Sequence, residues 1–495
     1  MSGSTPIYTA LKKFMEAKGL RLHMPGHIGG KSIPSPELHA WAGLDFTEIP
    51  GLDDLHLPQG IIAQAQDLLA RACGARQSFF LLNGATSGIH ALIMSCGEKK
   101  RILIPRNAHR SFFGGMVLSG AIPTYIPCEL EPELGIAAAI RAEEIEDLLH
   151  IHNDVGAVFI TSPSYYGTCC DIASIAAVLQ RWGKVLMVDE AHGSHFPFHT
   201  LYPTPALQDG AAAVVNGLHK TWPVLTQGAC LHLGASFTNK MSPGDSPLDL
   251  FCPEESEYYS RLAAAYHLLT TTSPSYPLMA SIDLARDFME REGHSYLERA
   301  LQLSREYKLR LEGIRGIRCY GDELTSLPGV KAVDPLKVLI GVQGLTLTGY
   351  QLGKMLREEY NIQVEMTDQN LILAMFSFLH EREDWERFYQ AIENIAGRYL
   401  AVGRPKEQVY EMPPWQMILS PRQAFYAAKR KVRLAECRGQ VAGEMVAAYP
   451  PGIPCLLPGE KITEEIWDYL YYLQKSGAHI QGPEEADLEH IYIID

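Results

Sequence analysis

The chain has 495 residues, 46% hydrophobic and 20% charged, the balance of a globular protein with room for two or three domains. A formal net charge of −14 with no run of Lys and Arg excludes a basic stripe for nucleic acid, and no stretch approaches the roughly 18 apolar residues of a membrane helix. The opening MSGSTPIYTALKKFMEAKG has neither an apolar core nor a cleavage site, so a cytoplasmic chain without membrane or nucleic-acid partners is expected.

Along the chain, GHIGGKS (26–32) imitates a phosphate loop, but only three residues separate Gly26 from Gly30, and Pro34 and Pro36 prevent the helix that must follow. His23 and His27 are four apart, yet Pro25 and Gly26 between them forbid a helix that would point both at one metal, and no metal site is expected. The ten cysteines form no C-x-x-C pair, and adjacent Cys169 and Cys170 are too close for a relaxed disulfide, so reduced and mostly buried thiols are expected.

From about 75 to 235 short apolar runs alternate with amphipathic stretches, from SFFLLN and SGIHALIMSC through RILIPR, VGAVFIT and VLMVDEA to AAAVVNG and ACLHLG. This pattern predicts an α/β domain with a mostly parallel sheet. AVFI and VLMV are apolar at successive positions, as in strands covered by helices on both faces, and ligands in such folds gather at carboxyl ends of strands. A long polar helical pattern over Arg299–Arg315 precedes a second αβ region carrying KVLIGV, LTGYQLGKMLREEY and LILAMFSF. RPKEQVYEMPPWQM (404–417) reads as a proline-broken linker. The expected division is an N-terminal segment 1–45, a large cofactor-binding domain 46–290, a small α/β domain 291–403 and a C-terminal domain 404–495.

Four strand-end groups match the needs of pyridoxal-phosphate (PLP) chemistry: a lysine to bear the cofactor, an anion for the pyridine nitrogen, a phosphate cradle and a flat ring partner. Lys220 follows His219 just after AAAVV, and Asp189 ends VLMV, where a buried carboxylate is costly unless it meets a cation. Asn83-Gly-Ala-Thr-Ser-Gly88 lies between strand SFFLL and a helix, where free N–H groups and two hydroxyls converge. His109 follows RILIPR. Each residue alone reads more simply as a cap, an ion pair or a structural histidine; order and spacing together favour the cofactor.

These residues resemble the prokaryotic ornithine, lysine and arginine decarboxylases, in His23-Met-Pro-Gly-His27, TEIPGLDDLHLPQG (47–60), FFLLNGATSGIHA (79–91), Asp189-Glu-Ala-His-Gly193, HKTWPVLTQGA (219–229), TTSPSYPLMASID (271–283) and YPPGIPCLLPGE (449–460). The resemblance implies a fold-type I, aminotransferase-like large domain with a mostly parallel seven-stranded sheet, plus the two smaller domains. It also implies decarboxylation of arginine, lysine or ornithine to CO₂ and an amine that feeds polyamine synthesis. Lys220 would bear PLP, Asp189 pair with the pyridinium and His109 stack on the ring. Ala85, Thr86 and Ser87 would hold the phosphate, His192 would touch the cofactor, and His219 would assist at the phosphate or in proton transfer. Glu365 would take the distal cation of the substrate. A homodimer or higher homo-oligomer with interface sites is implied, Thr271 and Ser273 reaching a neighbouring subunit's phosphate. Two departures stand out: Ile28 where relatives have lysine, and Gly217 in place of a hydroxyl residue. Another PLP-dependent lyase, an aminotransferase or a catalytically silent homologue remain the alternatives.

Overall fold

The computed structural model describes residues 4–31, 33–127, 131, 135–235, 253–401, 413–448, 453–476 and 480–495. Residues 404–412 of the expected linker and 449–452 of the motif at 449–460 lie outside them.

The chain divides into two compact units. The first joins Met1–Ser95 to Val185–Leu297. Numbered along the whole chain, it contains α1 (Pro6–Glu16), α2 (Pro36–Gly43), α3 (Ile61–Ala72), β1 (Gln77–Leu81), α4 (Gly84–Ser95), β6 (Val185–Asp189), β7 (Ala213–Asn216), α8 (Leu218–Thr221), β8 (Ala229–Leu233), α9 (Pro253–Leu269) and α10 (Tyr276–Phe288). β7 and β8 are buried at every residue and β6 at its last four, which explains why their sequences are apolar without alternation. β6 and β7 are parallel, while β8 runs antiparallel to both β7 and β1. α1 is capped from outside: the Ile7 and Tyr8 N–H groups donate to Asp283 Oδ2 of α10 at 2.9 and 3.3 Å, satisfying donors that a helix start leaves free. The Asp53 carboxylate does the same for α3, accepting from Gly60 at 2.8 Å and Ile62 at 2.9 Å and thereby folding the segment 47–60 around itself.

The second unit joins Cys96–Lys184 to Glu298–Asp495. β2 (Arg101–Pro105), α5 (Arg110–Ser119), β3 (Ile122–Ile126), α6 (Ala142–Ile151), β4 (Val155–Thr161), β5 (Thr168–Cys170) and α7 (Ile172–Arg181) form its first part, with β2 parallel to β3 and β4. The seven central strands run in the order β1-β8-β7-β6 within the first unit and β4-β2-β3 within the second. After α11 (His294–Glu312) come β9 (Arg318–Tyr320), β10 (Val330–Val333), β11 (Lys337–Gly341), α12 (Gly349–Tyr360), β12 (Met366–Thr367), β13 (Leu371–Met375) and α13 (Arg382–Arg398). β12-β13-β11-β9 make a four-stranded antiparallel sheet, whose Val338, Ile340 and Ile372 share a core with Leu352 of α12 and Trp385 and Phe388 of α13.

The C-terminal part holds α14 (Pro421–Tyr426), β14 (Lys429–Arg433), β15 (Val446–Ala448), β16 (Ile453–Leu456), α15 (Glu464–Ser476), β17 (Ile480–Gln481) and β18 (His490–Ile494). β14 pairs with β18, and Ile466 and Leu470 of α15 pack on Val432, Ile491 and Ile493. The eight cysteines among the described residues are buried. No helix of the described residues is long and apolar enough to cross a membrane.

Candidate active site

Asp189 is the last residue of β6 and only 4% exposed. Its Oδ1 accepts the Ala191 N–H at 3.1 Å. Burial pushes its pKa above the ordinary carboxylate range, although the Lys220 charge and the Ala191 N–H act in the other direction.

Lys220 sits in α8, four residues after β7 ends, with its N–H bonded to Gly217 O at 2.9 Å. Its Nζ lies 3.0 Å from His192 Nε2. A protonated amine there would donate to Nε2 and leave the His192 proton on Nδ1. His219 faces a backbone carbonyl instead, with Nδ1 2.9 Å from Gly228 O. Of the two histidines, His192 is the one brought to the amine.

Gly217 joins β7 to α8, and a Cβ built there would lie 2.9 Å from Ala191 O and 3.2 Å from Lys220 Cδ. A backbone oxygen cannot move aside as a side-chain end can. Restoring the hydroxyl with Gly217→Ser is thus expected to weaken cofactor binding several-fold rather than improve it, roughly the cost of a mildly overpacked site. Titrating the purified variant with PLP by absorbance checks this, and tighter binding than wild type would refute it.

The helix expected to begin after the cradle begins within it. Gly84 takes φ +70°, open to glycine without strain, and α4 starts there, so Ala85, Thr86 and Ser87 form its first turn with their N–H groups at the positive end of the helix. The Gly84 N–H donates to Gln227 O at 3.0 Å, tying the start of α4 to the segment that follows Lys220. Ser87 Oγ donates to Gly84 O at 2.9 Å, while Thr86 is exposed. Thr271 and Ser273 precede α10 and are exposed; the Ser273 N–H donates to Thr271 Oγ1 at 3.1 Å, and His56 Nε2 lies 3.0 Å from Thr271 O.

Two expected residues belong to the second unit. His109 is exposed and caps α5, its Nδ1 accepting the Ser111 N–H at 3.2 Å. Glu365, exposed and just before β12, accepts a hydrogen bond from the Tyr165 hydroxyl. Of the dismissed histidines, His27 is held by Asp45 Oδ2 at 3.1 Å and by the Gly30 N–H at 3.1 Å. Ile28 takes φ +49°, a conformation that costs a β-branched side chain, and Gly29 and Gly30 continue the left-handed run.

Glu190 escaped the reading of the sequence. It is 4% exposed, with Oε1 accepting from Ala206 N–H at 2.8 Å and Oε2 from Asn216 Nδ2 at 3.2 Å. Asn216 Nδ2 also donates to Glu190 O at 2.8 Å, so the ends of β6 and β7, which lead to Asp189 and Lys220, are laced together. Burial raises the acid from an ordinary 4.5 to about 8. The folded chain then keeps a proton that the unfolded chain loses; the stability this gives is complete below about pH 4.5 and is lost as pH rises through about 8. Glu190→Gln cannot titrate, so its melting temperature is expected to fall less than that of wild type over this range. Identical slopes in the two sets of melts would overturn the assignment.

The buried carboxylate of Asp189, the Lys220 amine 3.0 Å from His192 and the N-terminus of α4 are groups that fit PLP, and the sheet has the fold-type I architecture. The family described as "Orn/Lys/Arg decarboxylase, major domain" matches residues 5–384, and "Orn/Lys/Arg decarboxylase, C-terminal domain" matches 404–489. An arginine decarboxylase of Bacillus subtilis is 36% identical over 99% of this chain and 98% of its own length, and one of Bacillus anthracis 32% identical over 99% and 97%. The crystal structure of a Francisella novicida lysine decarboxylase superposes with a TM-score of 0.81 at 20% identity, covering 100% of this chain and 82% of that one. The chain belongs to the Orn/Lys/Arg decarboxylase family and is a basic amino-acid decarboxylase.

Proposed function

We propose that the chain decarboxylates arginine, with PLP held covalently by Lys220. What supports arginine among the three basic substrates is the identity of 36% and 32%, over nearly the whole chain, to relatives bearing that activity in their names. When bound, PLP supplies the electron sink that lets the Cα–carboxylate bond break with loss of CO₂.

The protein's share of the work falls to its own side chains. Asp189 would keep the ring nitrogen protonated, since its buried charge is stabilised best by a cation. The first turn of α4, with Ala85, Thr86 and Ser87, would hold the phosphate through N–H groups and the Thr86 hydroxyl. His192, 3.0 Å from Lys220 Nζ, is placed to take a proton from that amine and return it, so that Lys220 can deliver one to the substrate carbon. His109 would lie against the ring, and Thr271 and Ser273 would reach the phosphate of a second copy in a cytoplasmic homodimer.

Glu365 would take the guanidinium in a two-pronged ion pair, oriented by the Tyr165 hydroxyl. Glu365→Gln keeps the shape and removes the charge; KM for arginine is expected to rise on the order of tenfold or more with little change in kcat. An unchanged KM would remove Glu365 from the site. The wider reading is tested by CO₂ release from arginine, lysine and ornithine in parallel. A kcat/KM highest for arginine is expected; faster turnover of lysine or ornithine, or keto-acid formation in place of CO₂, would overturn it.

A further inference from the structure

Arg106 follows β2 and stands three residues before His109. It is 2% exposed, and its partner Glu460, 1% exposed, comes from the C-terminal part of the chain. The two meet in a double-pronged ion pair, Nη1 to Oε1 at 2.5 Å and Nη2 to Oε2 at 2.8 Å. Nη2 also reaches Cys455 O at 3.3 Å, and the guanidinium lies 4.9 Å from the ring centres of Tyr125 and Trp415. Glu460 is fixed in turn by the Leu457 N–H at 2.9 Å.

The same part of the chain holds the far end of the helix that His109 caps. Arg422 of α14 donates Nε to Val117 O at 2.8 Å and Nη2 to Leu118 O, the last carbonyls of α5, and its Nη1 lies 3.5 Å from Glu98 Oε1. A cation on the final carbonyls of a helix satisfies acceptors that would otherwise lack partners. The turn from Arg106 to His109 is short and ordered, with Arg106 N–H on Ile126 O at 3.1 Å and Ala108 N–H on Pro105 O at 3.2 Å. Both ends of the segment carrying His109 are therefore clamped from the C-terminal part, at the entry by Glu460 and at the exit by Arg422.

We propose that Glu460 and Arg422 are positioning residues that set the His109 ring against the cofactor, so that the C-terminal part of the chain acts on the chemistry without touching substrate. The inference rests on the reading of His109 as the residue that stacks on PLP. A merely structural clamp would cost stability alone; a positioning clamp acts through His109, and its loss is invisible once His109 is gone.

The test is a double-mutant cycle on the holoenzyme, read by visible circular dichroism of the bound PLP, by PLP affinity and by the split between kcat and KM. Arg422→Ala removes a half-exposed side chain and leaves the core untouched. Glu460→Gln keeps one acceptor for Arg106, and Arg106→Gln with Glu460→Gln removes the buried charge should the single variant fold poorly. Each is expected to weaken PLP affinity on the order of tenfold, to change the dichroism in the direction that His109→Ala changes it, and to lower kcat more than it raises KM. Added to His109→Ala, each is expected to change nothing further. Wild-type dichroism in the variants, or effects that add fully to those of His109→Ala, would overturn the proposal. If His109→Ala itself leaves dichroism and activity unchanged, the stacking role fails first and the clamp's route to the chemistry fails with it.

Discussion

Lys220→Ala is expected to leave a folded protein whose activity on arginine is at least about a thousandfold below wild type, because it removes the nucleophile proposed to hold the cofactor. Lys220 is only half buried and lies in a four-residue helix, so the core loses nothing to the change. Its charge, however, counters the burial of Asp189 and faces His192 at 3.0 Å. Lys220→Arg is the informative companion. Arginine keeps a positive charge near Asp189 but does not give up its proton at working pH, so it cannot bond covalently to an aldehyde. The arginine variant is expected to match the alanine variant in activity while binding PLP only reversibly, lost on dialysis. CO₂ release and cofactor retention measured on both variants decide the matter, and more than a few per cent of wild-type activity in either would show that another residue holds the cofactor.

The strand ends that carry the candidate site were legible because buried parallel strands write themselves as unbroken apolar runs. VLMV pointed to Asp189 and AAAVV to Lys220, and the structure ends β6 and β7 where those readings put them. The start of α4 was placed late because Gly84 reads as a loop residue, although its positive φ is what lets the helix begin at once. Glu190 was invisible for a different reason: a glutamate beside an aspartate looks solvated, and neither its burial nor Asn216 as its partner is written locally. The pair of Arg106 and Glu460 spans 354 positions, a separation at which pattern reading has no purchase. His192 shows the same limit, since its approach to Lys220 Nζ depends on how two strand ends meet.

Asp189→Asn is expected to separate catalysis from stability. Asparagine fills the same volume and still accepts the Ala191 N–H, now 3.1 Å from Oδ1, so the end of β6 is preserved. What disappears is a charge that burial disfavours, with Lys220 opposing it only in part. In the cofactor-free protein a raised carboxylate pKa gives stability that is complete below the ordinary value near 3.8 and is lost as pH rises through the raised one. The asparagine variant lacks that loss, so near neutral pH its cofactor-free form is expected to melt at or above the wild-type temperature. Catalysis moves the other way. In the proposed role the anion keeps the ring nitrogen protonated, so activity is expected to fall by about a hundredfold or more, with kcat taking most of the loss. Thermal melts of the cofactor-free forms and steady-state rates on arginine test the two halves separately. A fully active variant would remove Asp189 from the cofactor, whereas an inactive variant that also melts well below wild type would make its role structural.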